Sequence, residues 1–339
     1  MLADNPSLPG RGQPAADLPI DRALPGLEAI RTLGLAAALP DLGLTDGRVE
    51  IRTCNHVMGT RMTFETRAGD RRFAVKLYAD DPAPEAELYQ ELARLGLARD
   101  LGPRVPRLLA WNRHLRLVVI SWLEGPTAHH LIKLGHGARA GELAASWLWH
   151  ASRKRVRLGP PRGREHMIYQ AGVSAGALGS ADRMLGAATK SVAKLLVRIP
   201  TREKAPRLVH GTLYARHIFD MDGSPGVIDW TQFGQGPVEL DAGMFLATIS
   251  RLALRHEPFA AQAARATEMF LTRVQRLVDP CALEWYWAAG LLHLAARRLK
   301  TRPHSPVPPE TPAVVDEAAR HAGLAARNSS PRSHVVLSA

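Results

Sequence analysis

Two short stretches of the chain carry most of the residues whose types suit catalysis. Residues 208–219 read LVHGTLYARHIF, and residues 227–230 read VIDW. An apolar run, a short polar loop, a predicted hairpin and an acid at a strand end would gather these polar side chains around one cleft. Such an arrangement suits phosphoryl transfer, which depends mainly on positioning and on neutralisation of charge.

An earlier strand carries a notable lysine. Gly69-Asp70 is a turn signal that leads into residues 71–78, RRFAVKLY, whose β-prone run predicts a strand containing Lys76. Two prolines then introduce a helix predicted over residues 85–98. The strand lysine therefore precedes an acidic helix start.

The remaining patterns predict an α+β protein of two lobes, with strands first and helices afterwards. The division is a small β-rich N-lobe over residues 26–122 and a larger helical C-lobe over residues 123–300. Residues 1–25 and 301–339 are predicted to be flexible, because proline and glycine interrupt any periodicity. The other expected strands are 107–111, 115–122, 217–221 and 226–230, and the expected helices are 141–154, 180–197, 241–254, 259–277 and 281–300.

Composition narrows the class of protein. The 339 residues are 46% hydrophobic and 22% charged, which is typical of a packed globular chain. Only Cys54 and Cys281 are present, which excludes a disulfide-rich framework and favours the reducing cytoplasm. No signal sequence and no apolar run of ~18 residues is found, so neither export nor membrane insertion is expected. The net charge of +12 raises the question of an anionic partner.

The motifs resemble the small-molecule branches of the protein kinase-like fold. The aminoglycoside phosphotransferase family has a catalytic loop His-Gly-Asp-Leu-His-x-x-Asn and a metal motif Ile-Asp-Trp or Ile-Asp-Phe, which residues 210–217 and 228–230 resemble. The lipopolysaccharide core-sugar kinases look similar but often carry Tyr-x-x-His after the catalytic aspartate, as residues 214–217 do. Both branches therefore remain open.

The resemblance implies a role for each matching residue of the N-lobe. Lys76 would grip the phosphates of ATP, with Glu85 as its helix partner and Glu87 as the alternative. Backbone groups at Ser121 and Leu123, in a hinge-like segment, would receive adenine. ATP is thus the expected cofactor, and a sugar hydroxyl is the expected acceptor.

The resemblance also implies roles for residues of the C-lobe. Asp229 matches the aspartate that binds Mg²⁺, and Asp241 resembles the acid that braces the catalytic loop, although it could also cap the helix that follows. His217 stands where the aminoglycoside branch has a metal-binding asparagine. It is assigned to the metal site, but a buried strand residue without a ligand is an equal alternative, because imidazole suits Mg²⁺ poorly. His210 belongs to the catalytic motif, where a structural part in holding the loop is favoured.

Thr212 is the main departure from both branches, which have the catalytic aspartate at this position. A threonine hydroxyl cannot take up a proton near neutral pH, and a positioned general base is typically worth ~10²–10⁴-fold in rate. Two hypotheses follow. The protein phosphorylates a sugar hydroxyl of a lipopolysaccharide core or of an aminoglycoside-like molecule, or it is a pseudokinase that binds nucleotide or a partner without turnover.

Three further signals compete with these hypotheses. Residues 172–176 match the Gly-x-Ser-x-Gly nucleophile elbow but lack a convincing strand before them. His129, His130 and His136 lack an acid or cysteine at ligand spacing. The basic stretch between residues 150 and 168 could attract an anionic glycolipid at a membrane surface, whereas specific nucleic-acid binding is disfavoured because no aromatic residues interleave with the charges.

Overall fold

The computed structural model describes residues 17–44 and 49–329, which form two compact units. The first unit comprises the described residues up to Arg99 together with Val105–Glu124. The second comprises Asp100–Arg104 and the described residues from Gly125 onward. The first unit is rich in strands and the second is mostly helical, so the predicted α+β class is confirmed.

The first unit is built on a five-stranded antiparallel sheet in the order β1-β2-β3-β5-β4. Two short helices precede the sheet and a third lies between β3 and β4. The elements are α1 (Pro25–Leu33), α2 (Leu35–Ala38), β1 (Val49–Val57), β2 (Arg61–Ala68), β3 (Arg71–Tyr78), α3 (Ala83–Arg94), β4 (Leu108–Asn112) and β5 (Leu117–Ser121).

The alternation of side chains along β3 explains how the lysine is presented. Phe73, Val75 and Leu77 face the apolar core that the sheet shares with α1, where Leu27 is fully buried. Because successive side chains of a strand point to opposite faces, Lys76 lies on the other face of the sheet. The sequence predicted the bounds of β3 correctly.

The segment before α1 is packed where flexibility was expected. Within the predicted flexible residues 1–25, Leu18, Asp21 and Leu24 are buried, and residues 1–16 lie outside the described residues. Leu18 and Leu24 contribute to the same apolar core as the sheet. The interpretation from composition was therefore wrong for residues 17–25, because a few apolar side chains suffice to anchor a segment that has no periodicity.

The second unit contains two small antiparallel β-ribbons and is otherwise mostly helical. In the ribbons β6 pairs with β9, and β7 pairs with β8. The ribbons carry the polar motifs noted above. The elements are α4 (Ala128–Lys133), α5 (Gly137–Ala151), α6 (Arg164–Ala181), α7 (Arg183–Arg198), β6 (Arg207–Val209), β7 (Ile218–Met221), β8 (Ser224–Val227), β9 (Gly234–Gly236), α8 (Val238–Arg255), α9 (Ala260–Val274), α10 (Pro280–Thr301) and α11 (Thr311–Ser329).

Helix α6 is not among the helices that the sequence predicted. Gly179 of this helix lies close against α7, since a Cβ placed on Gly186 of α7 would lie 2.3 Å from the Cα of Gly179. Ser174, the serine of the Gly-x-Ser-x-Gly match, lies buried inside this helix and its Oγ donates to the carbonyl of Gln170 at 2.8 Å. A nucleophile elbow requires a sharp turn between strand and helix, so the structure excludes it here.

Helix α11 occupies residues that were predicted to form a flexible tail. Val314 and Val315 are buried where α11 packs against α10. His321 lies between the carboxylates of Glu284 and Glu317 and stacks on Trp287, with the ring centroids 3.8 Å apart. The prediction failed for residues 311–329 because the proline-rich stretch ends at Pro312, in the first turn of the helix, where proline is tolerated.

We expect Val315→Ala to lower the free energy of unfolding by about 1–3 kcal/mol, since it removes buried methyl groups and leaves a cavity. Urea denaturation of the full chain measures this. Val173→Ala is the matched control, because Val173 is 37% exposed on α6. Equal unfolding midpoints for the two variants would show that α11 does not stabilise the fold.

Candidate functional site

Lys76 of β3 forms a buried ion pair with Glu85, which lies in the first turn of α3. The side chains of Lys76 and Glu85 are 7% and 6% exposed. The hydroxyl of Tyr78 donates to the second carboxylate oxygen of Glu85 at 2.5 Å. Glu87, the alternative partner, lies exposed on the same helix. The Lys76 ammonium is thus held in one position by a carboxylate that is itself fixed.

The turn between β1 and β2 is held by the segment before α1. The N–H of Gly59 donates to Oδ2 of Asp21 at 2.8 Å, and His56 contacts the same oxygen at 3.0 Å. Burial opposes the ionisation of Asp21, but the hydrogen bonds from His56 and Gly59 outweigh it and lower the pKa. The N–H of Gly59, the one glycine amide of this turn, is therefore already bonded to the carboxylate of Asp21 and is not free to bind a phosphate.

The hinge-like residues Ser121 and Leu123 follow β5 directly. The Oγ of Ser121 accepts from the N–H of Arg107 at 2.9 Å, which ties the end of β5 to the start of β4. Leu123 is 9% exposed, and in the described part of the chain its backbone N–H has no hydrogen-bond partner. This amide is a donor available to a heterocycle.

In the second unit, Asp241 holds the loop that follows β6. Its Oδ2 accepts from the N–H of His210 at 2.7 Å and its Oδ1 accepts from the N–H of Gly211 at 2.9 Å. Gly211 has φ +79, and a Cβ there would lie 2.2 Å from the carbonyl oxygen of Gln232. The loop therefore requires glycine at this position and an acceptor beneath it. Burial raises the pKa of Asp241 to about 7.

His210 joins this loop to the strand end that precedes Asp229. Its Nε2 lies 2.8 Å from the carbonyl oxygen of Ile228, so Nε2 carries the proton and Nδ1 faces the N–H of Thr212 at 3.4 Å. The ring also packs on Trp230, with centroids 4.8 Å apart. Both nitrogens are engaged within the protein, which indicates a positioning role rather than acid or base chemistry.

Thr212 is half-buried and its backbone carbonyl accepts from Tyr214 N–H at 2.7 Å and from His217 Nδ1 at 3.0 Å. His217 therefore carries its proton on Nδ1, and its Nε2 lone pair faces Oδ2 of Asp229 at 3.4 Å. Burial lowers the pKa of His217 well below its ordinary value, although the Asp229 carboxylate opposes this shift. Two electron-rich atoms thus face each other, an arrangement that a cation between them would stabilise.

Asp229 has a strained backbone. Its φ is +67, in the left-handed region that non-glycine residues seldom adopt. Thr231 Oγ1 donates to Asp229 Oδ1 at 3.2 Å, and the carboxylate is about 31% exposed. The second unit thus brings His210, Thr212, His217, Asp229 and Asp241 together at adjoining loops, while Lys76, Glu85, Ser121 and Leu123 belong to the first unit.

The donor set at Asp229 fits Mg²⁺ in part. Magnesium favours oxygen ligands and is often held by one or two carboxylates together with substrate phosphates, which Asp229 satisfies. The Nε2 of His217 fits it poorly. Among residues 17–44 and 49–329, no group of three or more His, Cys, Asp or Glu side chains could hold a metal by itself.

The sequence analysis missed polar residues that helix α10 brings to this loop. Tyr214 OH lies 2.9 Å from Nε2 of His293, and the guanidinium of Arg297 lies 5.3 Å from the Tyr214 ring. These residues are about 80 positions apart in the chain and belong to no motif. The only signal available in the sequence was that His293 and Arg297 both lie within the helix predicted over residues 281–300.

The basic stretch between residues 150 and 168 is not a single surface. Arg164 Nη2 donates to the carbonyls of Leu196, Val197 and Ile199 at 2.7–3.2 Å and so caps the end of α7. Arg162 instead points its Nη1 towards His166 at 3.1 Å. Arg162 and Arg164 therefore contact other groups of the second unit and do not belong to one exposed basic surface.

The fold and the loop geometry agree with a sequence comparison. The profile of the phosphotransferase enzyme family (APH) matches residues 58–278, more than half of the chain. The chain belongs to this family. The match includes the Lys76 strand, the loop after β6 and Asp229, so the recognition made from these motifs is confirmed.

Solved structures of similar fold include phosphotransferase-family kinases. A thermostable mutant of the aminoglycoside phosphotransferase APH(4)-Ia, in ternary complex with ADP and hygromycin B, is 14% identical, with a TM-score of 0.55 and coverage of 86% of this chain and 97% of that one. A choline/ethanolamine kinase family protein from Mesorhizobium loti is 16% identical, with a TM-score of 0.56 and coverage of 87% and 97%. At these identities the likeness shows the kinase-like fold alone. A search of the curated proteins found no match.

We expect Asp241→Ala to lower the free energy of unfolding by about 2–4 kcal/mol, because it leaves two buried N–H groups without an acceptor. Burial raises the Asp241 pKa above its unfolded value, so the contribution of Asp241 declines as pH rises from about 4 through about 7. The gap between wild type and variant should therefore be wider at pH 5 than at pH 8 in denaturant titrations.

Asp182→Ala is the matched control for this experiment. Asp182 also accepts from two backbone N–H groups, those of Met184 and Leu185, at the exposed start of α7. Water can replace it there, so we expect a loss of about 1 kcal/mol. Equal losses for the two variants would contradict the role of Asp241 as the buried anchor of the loop.

Proposed function

We propose that this phosphotransferase-family protein phosphorylates a sugar hydroxyl with ATP, on a lipopolysaccharide core sugar or an aminoglycoside-like small molecule. The observation that carries the proposal is Asp229, a carboxylate at φ +67 beside the loop that Asp241 anchors. Strained backbone of this kind persists where the surrounding structure over-determines it, often at functional sites. Its two free cysteines, Cys54 and Cys281, suit a cytoplasmic location.

The proposed nucleotide contacts come from residues fixed by their neighbours. Lys76 binds ATP phosphates, and Glu85 orients it. The N–H of Leu123 and the backbone at Ser121 receive adenine. Asp229 holds Mg²⁺ together with phosphate oxygens, and the ion neutralises the charge of those oxygens when bound. That ADP and hygromycin B share the ternary complex of APH(4)-Ia supports a nucleotide and a sugar-like acceptor for this chain.

Thr212 changes the chemistry expected of the loop. In a loose phosphoryl-transfer transition state, catalysis rests mainly on positioning and electrostatic stabilisation, so the missing base slows the reaction without removing its other parts. His210 does not replace the base, because its Nε2 carries a proton that it donates to the carbonyl of Ile228 and its Nδ1 lone pair faces the N–H of Thr212. We therefore propose a slow kinase in which the acceptor hydroxyl is positioned but not deprotonated by a side chain.

The second candidate function is a pseudokinase that binds nucleotide or a protein partner without turnover. Thr212 favours it, and so does the contact of Asp21 with the Gly59 amide, since a carboxylate there repels an incoming phosphate. The two candidates differ in turnover, whereas both predict nucleotide binding.

We expect saturating Mg²⁺-ATP to raise the melting temperature, because a ligand at 100 times its Kd stabilises the native state by about 2.7 kcal/mol. Lys76→Ala and Asp229→Ala should each remove this shift. Lys190→Ala is the matched control, because Lys190 is an exposed lysine of α7. Thermal melts with and without Mg²⁺-ATP measure the shift, and no shift in the wild type would reject nucleotide binding.

We expect Thr212→Asp to raise turnover by ~10²–10⁴-fold, measured as ADP release with sugar acceptors, because it restores a positioned base. If the loop is of the lipopolysaccharide-kinase type, the single change suffices. If it is of the aminoglycoside type, repulsion from Asp229 should blunt the gain until His217→Asn is added. Should the wild type turn over briskly and both variants be slower, Thr212 takes part in a working mechanism and the pseudokinase hypothesis fails.

A further inference from the structure

A polar cavity of about 60 Å³ opens beside Thr212 in the second unit. One water needs ~10–15 Å³ of such space, so the cavity has room for a phosphate or carboxylate group but not for a sugar ring. Apolar residues of α6 and α8 line the rest of its wall. Its polar lining residues are Arg162, His166, Gln170, Thr212, Gln232 and His293.

Arg162 brings an uncompensated positive charge to this cavity. Its backbone N–H donates to the carbonyl of Gln235 at 2.7 Å, which fixes the residue beside β9. Nη1 lies 3.1 Å from Nε2 of His166, while the buried Nε has no hydrogen-bond partner among the described residues. A half-buried guanidinium whose buried Nε has no acceptor and which has no carboxylate partner is stabilised when an anion completes its hydrogen bonds.

More cationic groups surround the same loop. The guanidinium groups of Arg216 and Arg297 lie 4.6 Å and 5.3 Å from the ring of Tyr214, and Tyr214 OH contacts His293 of the cavity wall. Lys300 Nζ contacts Oε1 of Gln170 at 3.3 Å. Within the described part of the chain neither Arg216 nor Arg297 forms a salt bridge, although the carboxylate of Asp229 offsets part of the charge of Arg216.

No acidic side chain is found among the described residues that line the cavity. Burial lowers the pKa of His166 and lowers that of His293 to about 3, with the nearby Lys300 adding to both shifts. Both rings are therefore neutral near pH 7 and can donate or accept hydrogen bonds. A cationic group would meet Arg162 and Lys300 without a compensating carboxylate, so an aminoglycoside-like polycation fits this cavity poorly.

We propose that this cavity binds a phosphate or carboxylate group carried by the sugar acceptor, with Arg162 as its principal partner. That the bound sugar is an acceptor rests on the proposed function, whereas the anion site itself rests on the cavity and its lining residues. The sugar ring would remain outside, so that its hydroxyl can reach Thr212. The acceptor class is accordingly an anionic sugar, either a free sugar phosphate or uronate or the same group on a glycolipid.

The test is isothermal titration of the full chain with glucose 6-phosphate, with Mg²⁺ and a non-hydrolysable ATP analogue present at saturation to occupy any nucleotide phosphate site. Glucose, inorganic phosphate and an aminoglycoside are titrated in parallel. We expect glucose 6-phosphate to bind at least tenfold more tightly than glucose, and the aminoglycoside not to bind. Inorganic phosphate should compete with glucose 6-phosphate.

Arg162→Gln should weaken glucose 6-phosphate binding about ten- to hundredfold, since it removes a charge-assisted hydrogen bond. Arg162→Lys, which keeps the charge but not the planar fork, should lose less. Arg265→Gln is the matched control, because Arg265 is an exposed arginine of α9, and it should bind as the wild type does. Circular dichroism checks that each variant is folded.

The outcomes separate this inference from the proposed function. Binding of glucose 6-phosphate that Arg162→Gln weakens, in a protein that shows no Mg²⁺-ATP shift, would keep the anion site and reject the kinase. A Mg²⁺-ATP shift with no binding of glucose 6-phosphate, or with equal binding by Arg162→Gln, would reject the anion site alone. Binding that Lys76→Ala removes and Arg162→Gln does not would place the anion at the nucleotide phosphates and overturn the proposal.

A second arm distinguishes the two sources of the anionic sugar. Vesicles of neutral phosphatidylcholine with and without lipopolysaccharide are sedimented with wild type and with Arg162→Gln. Arg162-dependent sedimentation with lipopolysaccharide supports a glycolipid acceptor, whereas its absence beside tight glucose 6-phosphate binding supports a free sugar.

Discussion

The polar loops of the second unit depend on the hydrogen bonds that the carboxylate of Asp241 accepts. It accepts from two consecutive backbone N–H groups, those of His210 and Gly211, from the buried first turn of α8. His210 then donates to the carbonyl of Ile228, immediately before Asp229. Asp241 thus fixes the loop after β6, which carries Thr212, and through His210 it also fixes the segment after β8, which carries Asp229. Removal of this acceptor would leave buried donors unsatisfied, which is why the arrangement is tightly specified.

The side chains near Thr212 carry mostly positive charge, which suits the binding of anions. Where the family has an aspartate, this chain has a neutral hydroxyl, and the surrounding side chains Arg162, Arg216, Arg297 and Lys300 are positive. An aspartate at position 212 would have been attracted to these cations and would have offset part of their field. The anion site proposed beside Thr212 rests on this positive charge.

The first unit presents the opposite situation, in which the buried charged side chains are paired with groups of the unit itself. Lys76 is paired with Glu85, and Asp21 is satisfied by the Gly59 amide and His56. Glu65 is buried, yet hydrogen bonds from Arg52, Arg67 and Arg72 lower its pKa. A nucleotide that bound to this unit as proposed would therefore have to compete with these internal partners.

Local sequence determined the elements whose periodicity and punctuation are strong. Strand β3, its hairpin turn and helix α10 lie within a few residues of where the sequence predicted them, because alternation of apolar residues and turn signals act over short distances. The motif string from Lys76 to Asp241 also identified the family. The ordering of the packed segment around Asp21 and of α11 was decided by tertiary structure, because a few apolar side chains there gain stability only from partners that composition does not reveal. The cavity with Arg162 and His293 likewise exists only in the fold, since residues about 130 positions apart form its wall and no spacing rule connects them.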